Sequence, residues 1–84
     1  MTREEIAEID PEVLLLEEEY DPAIVGLVRR AGQPLIALYD LERIRDHLVK
    51  VHGIPPEMAD EHIDFNMTGA WSGPRSPGFI VPSG

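Results

Sequence analysis

AIVGLVRRAGQPLIALYD, residues 23–40, is the stretch whose reading decides the fold. It holds two short apolar runs, 23–28 and 35–39, either side of Arg29, Arg30 and the loop Ala31-Gly32-Gln33-Pro34. Both runs are too short for a buried helix and rich in Ile, Val and Leu. Two such runs around a Gly-containing loop predict a β-hairpin over 23–39. Gly26 inside the first strand marks a bulge or a close backbone approach. Both strands are apolar on each face, so both faces of the sheet need cover. The N-terminal segment is the expected cover for the far face; self-association is the alternative.

Downstream, Asp40 suits a helix N-cap. Leu41, Ile44, Leu48 and Val51 recur at helical spacing, and Gly53 suits the left-handed residue past a helix end, so a helix is predicted over 41–52. Asp46 and Lys50 form an i,i+4 pair on its outer side. Ile54-Pro55-Pro56 ends this helix and starts the next, with Pro56 at the first helical position and Glu57 in the first turn. That helix is predicted over 56–67, with Met58, Ala59, His62, Ile63 and Phe65 inward. The tail is rich in Gly, Pro and Ser. Residues 78–81 read as a short third strand at the sheet edge, and 82–84 as a frayed end.

Upstream, the charge is segregated. Residues 1–21 carry nine acids against Arg3, a net of −8, while 22–84 carry seven acids against six bases, a net of −1. Thr2 and Glu5 have capping-box spacing and predict a short helix over 3–9. Asp10-Pro11 suits a second N-terminus, so a helix over 11–18 is expected, with a strand at 13–16 as the competing reading. Glu17, Glu18 and Glu19 would then crowd a helix C-terminus, where the dipole disfavours carboxylates.

Size and composition bound the function. A chain of 84 residues makes one domain with a small core. There is no cysteine, which excludes disulfides and thiolate chemistry. No secretory leader is read at the N-terminus, and the apolar runs, residues 13–16 among them, are far short of the ~20 residues needed to span a bilayer. A net charge of −9 disfavours direct contact with nucleic acid or anionic lipid, and a cytoplasmic setting is expected.

Catalytic and metal chemistry find little support in the spacing. His47 and His52 are five apart, about 140° around a helix, which does not match a helical ligand pair. His62 lies on another predicted helix. No hydroxyl sits in a nucleophile elbow. Glu57, Asp60, Glu61 and Asp64 read as a solvated face. The expectation is no catalytic residue, no metal and no cofactor.

Two features remain open. The acidic segment is either a solvated face or a hook for a basic protein surface, with Glu12, Leu15, Glu17, Glu18, Glu19 and Asp21 supplying charge around an apolar strip. The stretch 65–79 is either a lock in which Phe65, Trp71 and Phe79 seat the last strand, or a cleft around Asn66, Trp71 and Arg75.

DPAIVG (21–26), QPLIALYD (33–40), FNMTGAWSG (65–73) and SPGF (76–79) together resemble a group of small uncharacterised proteins of tailed bacteriophages, prophages and bacteria. The Phe-Asn-x-x-Gly-Ala-aromatic-x-Gly block is the most specific part, and the likeness spans about residues 21–81. It departs at Ser76-Pro77-Gly78, where Thr-Pro and a bulkier residue are expected. The resemblance implies a viral or mobile-element origin and an intracellular setting, and carries over no site residue.

The sequence therefore predicts one α+β domain over 1–84: an acidic, mostly helical segment at 1–21 and a body at 22–81. In the body, helices pack on a small antiparallel sheet. The expected function is a non-enzymatic protein-binding accessory protein, phage-encoded, that engages or inhibits a host or viral protein through its acidic surface. A homo-oligomeric structural or virion-associated protein is the second reading. A small-ligand binder or enzyme using the 66–79 region is the third.

Overall fold

The two apolar runs pair as expected. Strand β1 (Ile24–Val28) and strand β2 (Ile36–Asp40) form an antiparallel hairpin in the computed structural model, which describes residues 1–64 and 75–81. Ile24 pairs with Tyr39 and Gly26 with Leu38, so the register slips by one and Val25 is the extra residue of a bulge. No atom lies within 4 Å of a Cβ built on Gly26. The glycine therefore serves the bulge rather than a close approach. The connection runs over residues 29–35, longer than the four-residue loop expected. Gly32 adopts φ 74° there, and the Gln33 N–H donates to the Arg30 carbonyl at 3.0 Å.

Asp40 both ends β2 and caps helix α2 (Leu41–His52), its side chain accepting the Arg43 N–H at 3.2 Å. Gly53 takes φ 67°, and the N–H groups of Gly53 and Ile54 both donate to the Leu48 carbonyl. Ile44 and Leu48 are fully buried, whereas Val51 is exposed. Helix α3 (Pro56–Ile63) starts at its proline and buries Ala59 and Ile63, leaving Met58 exposed. Residues 65–67 of the longer helix expected lie outside the described residues. Arg45 of α2 forms a two-pronged ion pair with Asp60 of α3, its Nη2 donating to Oδ2 at 3.1 Å.

The third strand, β3 (Gly78–Ile80), sits at the edge in the order β1-β2-β3, but it pairs parallel with β2. The sheet is thus mixed, not antiparallel. The connection from β2 runs through α2 and α3, and such a crossover returns the chain to the end where β2 began. Tyr39 faces Phe79 across this pairing, with ring centroids 6.2 Å apart.

The N-terminal segment opens with helix α1 (Arg3–Ile9) and the expected reciprocal cap. The Glu5 N–H donates to Thr2 Oγ1 at 3.1 Å, and the Thr2 N–H donates to Glu5 Oε1 at 2.9 Å. The helix expected over 11–18 does not form. Asp10 Oδ1 instead accepts the Glu12 N–H at 2.9 Å in an Asx turn, and the chain runs irregularly to a 3-10 helix at Glu18–Ala23. A tertiary bond explains the outcome: the Leu16 N–H donates to the buried Tyr39 hydroxyl at 2.9 Å. Val13, Leu16 and Tyr20 enter the core directly.

One core joins all these elements. Ile6, Val13, Leu16 and Tyr20 meet Ala37, Tyr39, Ile44, Leu48 and Ile63 in a single cluster. The N-terminal segment therefore shares the face used by the helices and does not cover the far one. On that far face Ile36 and Leu38 are half-buried, and Val25 is 52 % exposed. Among the described residues, no helix is long and apolar enough to cross a membrane.

Candidate functional site

Three of the five acids singled out in the N-terminal segment, Glu12, Glu19 and Asp21, form ion pairs within the chain. Asp21 accepts from Arg3 Nε at 3.0 Å and Nη2 at 2.8 Å, and the same guanidinium donates to the Leu16 carbonyl at 2.7 Å. One arginine thus staples α1 to the 3-10 helix and to the chain just before it. Glu12 accepts from Arg75 Nη2 at 3.1 Å, and Asp10 lies 3.7 Å from Arg75 Nη1, which ties β3's approach to the N-terminal segment. Leu15 is half-buried against the core. Of the six residues expected to form a hook, only Glu17 and Glu18 are exposed with no ion pair among the described residues. Glu4 and Glu8 on α1 are in the same condition.

Glu19 has a different role. Its Oε1 is contacted by His47 Nε2 at 2.9 Å and by His52 Nε2 in a still shorter contact. The two imidazoles meet edge to face, with centroids 5.6 Å apart. Around an ideal helix the two histidines diverge, but His52 is the last residue of α2, just before the left-handed Gly53. A carboxylate from the 3-10 helix then lies between them. Tyr20, the next residue, buries its ring edge-on to His47 at 5.2 Å. Hydrogen bonds from His52, and then His47, hold the Glu19 carboxyl below its ordinary value. Burial pushes the Tyr20 hydroxyl up to about 12, helped by the negative charges of Glu19 and Glu17. The phenol therefore stays protonated at neutral pH and offers no anionic ligand.

Each of Glu19, His47 and His52 presents one donor atom, and all three lie within 4.8 Å of one another. Two imidazoles and one carboxylate are a donor set suited to zinc and neighbouring transition metals. Spacing along the chain does not reveal this cluster, because the carboxylate lies 28 and 33 residues from its histidines. Only the fold brings them together.

The cleft expected around Asn66, Trp71 and Arg75 is represented here by Arg75, which the acids of the N-terminal segment hold. Asn66 and Trp71 lie outside the described residues, as do Phe65 and the tail 82–84. A shallow groove of about 320 Å³ runs between α1 and residues 10–15, lined by Ile6, Ala7, Val13, Leu14 and Leu15 with Arg3 and Asp10 at its polar edges. No protein-family model matches this chain, and no curated protein or solved structure matches it either.

Proposed function

We propose that this chain is a non-enzymatic accessory protein that binds a basic segment of another protein through its N-terminal surface. The observation that carries this reading is the sorting of the acids. Asp10, Glu12, Glu19 and Asp21 are ion-paired within the chain, whereas Glu4, Glu8, Glu17 and Glu18 are exposed with no ion pair among the described residues. The shallow groove beside α1 adds an apolar lining close to those charges. Charge steers a basic partner to the surface and the groove supplies burial once it arrives. The resemblance to phage and prophage proteins favours a host or viral protein as that partner. Inhibition of a host nucleic-acid-handling enzyme is the sharper form, since such enzymes present basic surfaces built for phosphate.

The test is an affinity capture from bacterial lysate at two salt concentrations, with the Glu17→Gln/Glu18→Gln variant alongside. One partner enriched at low salt, and lost both at high salt and in the variant, is the expected result. Capture that ignores both changes would sink the electrostatic reading.

The far face of the sheet favours a second reading, a homo-oligomer. Ile36, Leu38, Val25 and Ile80 give that face an apolar surface that is only partly covered. Light scattering across a concentration series decides it: a constant oligomer mass supports this reading, and a monomer at every concentration removes it.

A further inference from the structure

The geometry points to a binding site for a divalent transition metal of the zinc class, formed by Glu19, His47 and His52. The site does not depend on the docking reading above. Its donors come from two elements that are already packed together, the 3-10 helix and α2, so folding alone assembles it. Zinc bonds of about 2.0–2.1 Å place ligand atoms of a tetrahedral site about 3.3 Å apart. The three donor atoms lie within 4.8 Å of one another, and the 2.9 Å contact between His47 and Glu19 shows how closely they converge. Small side-chain adjustments are enough to admit the ion.

The donor types select the metal. Two imidazole nitrogens suit zinc, nickel, cobalt and copper, whereas magnesium and calcium want an all-oxygen shell. The site is also reachable: the side chains of Glu19, His47 and His52 are 34 %, 26 % and 42 % exposed. Three protein ligands leave at least one position open to water or to a donor from a partner. Bound metal would clip the acidic segment to the C-terminal end of α2 across 28 and 33 residues of chain. The unfolded chain has no such site, so binding stabilises the fold.

The test is calorimetric titration of the full chain with zinc chloride, paired with thermal melts with and without zinc. Wild type, Glu19→Gln, His52→Gln and Glu17→Gln/Glu18→Gln are compared, and magnesium chloride serves as the control ion. Wild type is expected to bind one zinc per chain, with melting raised by about 15 °C at zinc about 100-fold above Kd. Glu19→Gln and His52→Gln should each bind at least about tenfold more weakly while still melting cooperatively without zinc. His52 is the more exposed of the two histidines, so its replacement disturbs packing least. The Glu17→Gln/Glu18→Gln variant should bind zinc as wild type does, which separates this site from the docking surface. No saturable zinc binding by wild type would overturn the proposal. Equal zinc affinity in wild type, Glu19→Gln and His52→Gln would overturn it too, because the ion would then sit on other residues.

Discussion

Residues 36–52 and residues 10–23 reach their structures by opposite routes. In the first stretch the local signals agree with the outcome, apart from Val51, which is exposed. Asp40 caps, Ile44 and Leu48 face the core, and Gly53 turns the chain away with a positive φ. In the second, local signals favour a helix that the structure does not contain. The Asp10-Pro11 pair forms an Asx turn, and the Leu16 amide bonds to Tyr39, 23 residues away. The difference shows that the N-terminal segment is shaped by the body it packs on. Local preference is worth a few tenths of a kcal/mol per residue, and a buried hydrogen bond with two core side chains outweighs it.

The largest break in this comparison should come from the locally determined half. Leu48→Ala removes a fully buried side chain shared by α2 and the N-terminal segment. A loss of about 2–5 kcal/mol is expected by urea denaturation, with both halves unfolding together. Tyr39→Phe is smaller and more selective. It leaves the ring in place but strands the Leu16 N–H in the core, at a cost of about 1–3 kcal/mol. Gly53→Ala probes the end of α2, where a Cβ meets no atom within 4 Å but the φ of 67° is strained for any L side chain. About 1–2 kcal/mol is expected, with no change in the N-terminal segment.

The smallest effect at neutral pH is the most specific at high pH. Tyr20 has its hydroxyl raised from the ordinary 10 to about 12, so between those values the unfolded chain gives up a proton that the folded chain keeps. Stability should therefore fall as pH rises from 10 towards 12. Burial raises Tyr39 in the same direction. Tyr20→Phe should flatten part of that alkaline loss, measured by thermal melting from pH 9 to 12. An unchanged slope would mean that Tyr20 is not held in the core.

Much of the fold was legible because its signals are local. The Thr2–Glu5 cap, the Gly26 bulge, the hairpin strands, α2 and the start of α3 all follow from residues close in sequence. The parallel pairing of β3 was not, although two helices between β2 and β3 are themselves a crossover signal. The site was less legible still. A helical wheel separates His47 from His52, and nothing near either histidine announces Glu19. Likewise Arg3 and Arg75 each pair with acids that are distant in sequence, so a count of charge along the chain overstates how much of the acidic segment's charge is left unpaired.

The most direct test of this account is amide hydrogen exchange at Leu16 in wild type and Tyr39→Phe. If the body folds the N-terminal segment, the wild-type Leu16 amide is protected nearly as well as the amides of α2. In Tyr39→Phe that protection drops sharply while α2 keeps most of its own. Exchange of wild-type Leu16 at the rate of an unstructured peptide would contradict the claim, because the segment would then be no part of the core.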